Sequence, residues 1–293
     1  METSAMRSDA DAVVGVHSDP VPIKTGERLS LELVEGLRQI EENMERGLIP
    51  VSNKIAVFDL DNTLLIGHIN ETLTVQLLND GYQLPPLRSS YRNLGAVPRR
   101  DVRLKLATSM NCLPLRSLVK ATHKILCSEP RFIEAGGGIL AMPYPHPVML
   151  SLVRTLELLK YRIYVITSSN EVAARIIASQ FFNIPASRVF GLRHRIEHDI
   201  FTNELLHPVP VDNGKVETYL KYVGVIPPII TGGSTSSDIP LLRLTDPYGL
   251  CLWVGGDRIR FESAQVRIGG TQQFHFVPLE EQLQFQQKPG EIR

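Results

Sequence analysis

Two aspartates stand two positions apart in the stretch Phe58-Asp59-Leu60-Asp61-Asn62-Thr63. Carboxylates so placed can divide one reaction between them. The first attacks an electrophile such as phosphorus, and the second protonates the leaving oxygen and later activates water. Asp59 is the candidate nucleophile and Asp61 the candidate acid and base. Phosphoryl transfer also needs fixed donors and positive charge for the phosphoryl oxygens. Thr167, in Thr167-Ser168-Ser169, and Lys215, just after Asp212-Asn213-Gly214, fit those needs, and Thr63 and Ser168 are further candidates for phosphate. Asp238 ends the loop that starts Gly232-Gly233-Ser234 and adds a third acid. Hard oxygen ligands of this kind suit Mg²⁺, which lowers the repulsion between carboxylate and phosphate, so Asp59, Asp61 and Asp238 are the expected metal set.

Something must bring these residues together. The run Lys54 to Phe58 is short and apolar, as a strand buried on both faces of a parallel sheet would be, and Asp59 follows its end. A helix is expected over Leu29 to Gly47, then strands at Arg162 to Thr167, Val189 to Gly191, Pro228 to Thr231 and Leu250 to Val254. Helices over Glu171 to Phe182 and around Lys215 to Tyr222 separate them. Strand and helix alternate, so the fold class is α/β, with a doubly wound, Rossmann-like parallel sheet. In such sheets ligands bind beyond the carboxyl ends of the strands, where strand order reverses. That edge collects Asp59, Asp61, Thr167 and Asp238.

Residues 67–144 break the alternation. Leu73 to Leu78, Arg103 to Met110 and Leu118 to Leu126 each show helical spacing between Pro-rich or polar breaks, which predicts a helical insertion after the first strand. The expected organisation is therefore a disordered leader over residues 1–25, a core from residues 26–66 and 145–293, and a helical cap over residues 67–144. The segment after Asp257, with Phe274 to Val277, reads as one more strand and a packing arm.

Each feature has a plainer reading in isolation. Asp-Leu-Asp after a strand can cap a helix, Thr167 to Ser169 can cap the helix that follows, and a lysine on a helix is usually solvated. What joins them is their order along the chain; Lys221 is the alternative to Lys215. His194, His198 and His207 lack metal-ligand spacing and read as surface or loop histidines. Arg99, Arg100 and Arg103 form a basic run in the insertion, a solvated face or a phosphate-facing one.

With those residues in view, the chain resembles the haloacid dehalogenase-like phosphatase superfamily. Ala56 to Thr63 is similar to its first motif, Ile163 to Thr167 to its second and Lys215 to its third. The insertion stands where the branch containing phosphoserine and phosphorylcholine phosphatases carries a helical cap. The resemblance implies a phospho-aspartate intermediate on Asp59, a Mg²⁺ cofactor and a small phosphorylated metabolite as substrate. It also places Glu71 where relatives hold an acid near a cationic head group, while His68 stands in place of an amine-binding glutamate. The fourth motif departs: Asp238 matches its second acid, but the first falls on Gly233 or Ser234, neither of which brings charge to the ion. A second reading follows, a degenerate relative that keeps the phosphate pocket and acts as a binding or regulatory protein.

Bulk properties narrow the partners. The 31 basic and 31 acidic residues cancel, so no global field draws the chain to nucleic acid or an anionic membrane. Cys112, Cys127 and Cys251 lie far apart, as buried free thiols do, and Met1 to Pro22 lacks the basic start and apolar run of a signal peptide. A cytoplasmic setting without a membrane anchor is expected.

Overall fold

The computed structural model describes residues 29–84, 108–127, 132–135 and 138–278. The leader over residues 1–25, the basic run Arg99, Arg100 and Arg103, and most of the helix expected at Arg103 to Met110 lie outside the described residues. In chain order the elements are α1 (Leu31–Glu45), β1 (Ile55–Phe58), β2 (Leu65–Ile66), α2 (Ile69–Asn79), α3 (Leu115–Cys127), β3 (Phe132–Ala135), β4 (Gly138–Ala141) and β5 (Tyr144–Pro145). Then come α4 (Pro147–Leu158), β6 (Arg162–Asn170), α5 (Glu171–Phe182), β7 (Val189–Leu192), β8 (His194–Glu197), β9 (Ile200–Leu205) and α6 (Asn213–Tyr222). The chain continues with β10 (Ile230–Gly233), α7 (Ile239–Leu242), β11 (Leu250–Val254), α8 (Arg258–Ile268) and β12 (Gln273–Val277).

Six strands form one parallel sheet in the order β12-β11-β10-β1-β6-β7. The chain leaves β1 towards β6 and β7, then returns to β1's other side at β10, so strand order reverses between β1 and β10. All four residues of β1 are buried, and their alternation divides the core. Ala56 and Phe58 join the cluster that includes Leu33 and Leu37 of α1, Leu152 of α4 and Ile177 of α5. Ile55 and Val57 face Tyr219 of α6 and Leu241 of α7. Trp253 and Cys251 on β11 pack on the same side against Phe261 and Ala264 of α8. Helices therefore cover both faces of the sheet, the doubly wound arrangement expected from the alternating pattern.

Two elements differ from the sequence reading. The stretch over residues 67–144 is not wholly helical among the described residues: beside α2 and α3 it holds the antiparallel pair β3 and β4. Phe132 to Ala135 and Ile139 to Ala141 are short runs on either side of Gly136 to Gly138, too brief for a helix. Beyond Asp257 a helix, α8, precedes the added strand β12; the Asp257 side chain caps it by accepting the Arg260 N–H at 2.8 Å.

The insertion is stitched to the core at two places. The β8–β9 hairpin clasps the start of α3, with Cys112 N–H donating to Phe201 O at 2.8 Å and Leu115 N–H to Asp199 O at 2.7 Å. At the other end Asn70 of α2 meets the end of β6: its side-chain oxygen accepts the Asn170 N–H at 2.9 Å and its amide donates to Ser168 O at 3.4 Å. No helix among the described residues is long and apolar enough to cross a membrane.

Candidate active site

Asp59 follows β1 directly and extends its ladder, its N–H donating to Gly232 O at 2.9 Å. The chain then tightens through Leu60–Leu64, where Asn62 takes a left-handed φ of 54° and its side-chain oxygen accepts the Gly67 N–H at 3.0 Å. Asparagine tolerates that backbone region better than most residues. The turn leaves Asp61 beside the insertion: Oδ1 accepts the N–H of Ile69, the first residue of α2, at 2.8 Å, and Oδ2 accepts the Ser169 hydroxyl. A carboxylate at a helix N-terminus is favoured by the unpaired N–H groups there.

Lys215 arrives on the first turn of α6. Gly214 makes that approach feasible, because a Cβ at this position would lie 1.8 Å from Val209 O. Just ahead, Asp212 holds a positive φ of 50°, and its N–H donates to Ser237 Oγ at 3.1 Å, tying the turn to the loop after β10. The ammonium of the buried Lys215 donates to Asp59 Oδ1 at 2.7 Å and to Asp238 Oδ1 at 2.6 Å. The other oxygen of Asp238 accepts N–H bonds from Ser234 at 3.0 Å and Thr235 at 2.8 Å, and the Thr235 hydroxyl at 3.0 Å.

One lysine thus serves two acids, with a third nearby. Burial pushes Asp59 up to about 7; Lys215 opposes that rise, while the charges of Asp238 and Asp61 add to it. For Asp238 burial acts in the same direction, but Lys215 and the two backbone donors outweigh it and hold the carboxyl below its usual range. Burial also disfavours the Lys215 charge, and the two aspartates overcome it and raise its pKa. Both carboxylates thus lean on one ammonium, with Asp59 raised by burial and Asp238 lowered by Lys215 and its loop donors.

The hydroxyls divide. Thr63 is fully buried and its Oγ1 has no hydrogen-bond partner among the described residues. Thr167, also fully buried, accepts the Ser169 N–H at 3.2 Å. Ser168 lines a cavity of about 640 Å³ that opens between the loop carrying Ser234 to Ser237 and α8, with Trp253 in its wall. Glu71 is half-buried in the first turn of α2 and does not line that cavity. Lys221 lies elsewhere, its ammonium donating to His207 O at 3.1 Å.

The three acids expected to share an ion do not gather as a metal-binding set among the described residues. Asp61 turns its carboxylate to Ile69 and Ser169, and Asp238 is held by Lys215 and its own loop. Oxygens that fit a hard cation are nevertheless present. Ser234 Oγ stands 3.4 Å from the main-chain carbonyl of Asp61, and Asp59 is two residues before that carbonyl. Gly233 and Ser234 differ in room: a Cβ on Gly233 would fall 2.5 Å from Asp238 Cβ, so of the two only Ser234 has room for a side chain.

Sequence reasoning placed Ser169 in the Thr167 to Ser169 cluster but not beside Asp61, and it missed Asn70. Both act across about a hundred residues of chain, and a serine or asparagine at a helix start gives no sign of a distant partner.

No protein-family model matches the chain, and no curated protein matches it in sequence. Solved structures do. A conserved protein of unknown function from Anaerococcus prevotii superposes with a TM-score of 0.60 at 17% identity, over 85% of this chain and 93% of that one. A protein of unknown function from Bordetella pertussis gives 0.58 at 16% identity, over 77% and 98%. A phosphoserine phosphatase solved as a phospho-aspartyl intermediate analogue gives 0.50 at 14% identity, over 80% and 98%. At these identities the likeness establishes a shared α/β fold.

Proposed function

We propose that the chain is a magnesium-dependent phosphatase of the haloacid dehalogenase-like kind, hydrolysing a small phosphomonoester through a phospho-Asp59 intermediate. The observation that carries this reading is the lysine shared by Asp59 and Asp238, with Asp61 held two residues beyond the nucleophile. Asp59 attacks phosphorus, and Asp61, positioned by Ile69 and Ser169, protonates the departing oxygen. In the second half Asp61 takes a proton from the water that hydrolyses the phospho-aspartate. Lys215 offers fixed positive charge to the phosphoryl group, and the buried Thr63 hydroxyl and Thr167 are candidate donors to its oxygens. With a carboxyl pKa of about 7, Asp59 is only part-ionised near neutrality, so added positive charge favours its nucleophilic form. Mg²⁺, held by Asp59 and the Asp61 carbonyl with Ser234 beside them, would supply that charge and draw the phosphate in.

Hydrolysis of a generic aryl phosphate, with and without Mg²⁺ and beside Asp59→Asn, tests the reading. Turnover that requires both the metal and Asp59 supports it. A neutral Ser234 at the metal edge favours one other reading, a phosphate-binding protein without turnover; phosphate binding by a chain inactive at high magnesium would select it.

A further inference from the structure

The cavity beside the phosphoryl site carries charge that the proposed reaction does not use. Ser234 belongs to both places: its hydroxyl is 3.4 Å from the Asp61 carbonyl and it also lines the cavity, as does Ser168, next to Thr167. At about 640 Å³ the space exceeds what a phosphate needs and falls in the range of small-molecule sites. One wall is a stripe of α8, where Arg260 and Arg267 stand two turns apart with Ser263 and Ala264 between them. The small residues leave the space between the arginines open.

Little meets that charge. Among the described residues the Arg267 side chain makes no ion pair, and Arg260 has only a contact of 3.9 Å with Asp257. Asp212 is the one acid among the described residues lining the cavity. Trp253 adds a flat apolar wall, and its buried indole Nε1 has no hydrogen-bond partner among the described residues.

We propose that this cavity receives the leaving group of the ester and selects phosphomonoesters carrying a second anionic group, a carboxylate or another phosphate. The inference rests on the phosphoryl site at Asp59. The first anion is attacked there, while the chain behind it passes Ser234 and Ser168 and its far end meets Arg260 and Arg267. Arginine suits either anion, since its planar fork can donate two parallel bonds. A cationic head group would be repelled, and Glu71 is not at hand to receive it.

Trp253 is the chain's single tryptophan, so its fluorescence reports occupancy of the cavity without turnover. The full-length protein would be titrated at low salt with pentyl phosphate, the same chain ending in a carboxylate, and the same chain ending in a second phosphate. Binding of at least one doubly anionic probe about tenfold tighter than pentyl phosphate is expected, and the two arms identify the anion preferred. Arg260→Gln combined with Arg267→Gln should abolish the preference for the doubly anionic probes, and an unchanged far-UV circular dichroism spectrum shows that the variant folds. Equal affinities for all three, a preference that survives the double variant, or no response to any probe would overturn the inference. A chain that prefers the second anion yet hydrolyses nothing retains the cavity's role and sinks the phosphatase reading; equal affinity with equal turnover of all three does the reverse.

Discussion

The ammonium of Lys215 donates to Asp59 Oδ1 across 2.7 Å, with the two side chains only 2% and 6% exposed. Because Asp238 shares that ammonium, removal of Lys215 strands two buried carboxylates at once. Lys215→Met should lower the unfolding free energy by about 3 kcal/mol or more, since a buried charge left without its partner is costly, and should abolish aryl phosphate turnover. Urea denaturation reads the first effect. A loss below ~1 kcal/mol, the range of exposed ion pairs, would mean that water reaches the pair and that the site is not sealed.

Asp59 gives stability an unusual pH dependence. Its carboxyl is raised to about 7 in the fold, mainly by burial, whereas an unfolded aspartate titrates near ~4. The folded chain therefore binds more protons than the unfolded chain between those values. Its stabilising contribution is complete below about pH 4 and is lost as pH rises through about 7. Asp238, depressed in the fold, works the other way, present above its unfolded value and lost only in acid. Thermal unfolding without divalent metal should thus show the melting temperature falling from about pH 5 to about pH 8. Asp59→Asn should flatten that fall, and a slope unchanged in the variant would assign it to another group.

These charges show how far the sequence could be read. Asp59, Asp61, Lys215 and Asp238 were legible because each follows a strand or opens a helix in a strongly alternating pattern, and the parallel sheet forces those ends to one edge. The strands β1 and β11 were legible because they are continuous apolar runs. What could not be read depends on three-dimensional proximity: Asn70 reaching the end of β6, Ser169 reaching Asp61, and the division of one lysine between two acids. The pair β3 and β4 was hidden because two four-residue runs carry too little periodicity to separate strand from helix. The helix α8 was missed although Asp257 is an ordinary cap, because its own apolar spacing is weak and only Phe261, Ala264 and Ile268 are buried.

Asn70 ties α2 to the end of β6, and the same turn of α2 gives Asp61 the Ile69 N–H. Asn70→Ala removes a side chain from two buried hydrogen bonds and leaves the Asn170 N–H unmet, a cost of about 1–3 kcal/mol. If the tie positions Asp61, kcat for an aryl phosphate should fall several-fold and the alkaline or acidic limb assigned to Asp61 should shift. Lost stability with an unchanged kcat and pH profile would restrict Asn70 to holding the insertion in place.

The loop after β10 offers the sharpest contrast, because Gly233 and Ser234 are adjacent yet differ completely in room. At Gly233 a Cβ would meet Asp238 Cβ at 2.5 Å, so Gly233→Asp must displace the residue that holds Lys215. The variant should be poorly folded, on the scale of about 1–3 kcal/mol or more for an overpacked site. Ser234 already carries a side chain, with its hydroxyl 3.4 Å from the Asp61 carbonyl, and Ser234→Asp replaces a neutral oxygen by a charged one at that point. A carboxylate adds charge that a hydroxyl lacks, so Mg²⁺ should bind about tenfold or more tightly. Calorimetric titration of the metal reads this whether or not the protein turns over. Turnover rising with affinity in Ser234→Asp would show the natural chain to be a phosphatase limited by its metal site. Tighter metal without any turnover would leave the phosphate-binding reading, and unchanged affinity would place the cation away from Ser234.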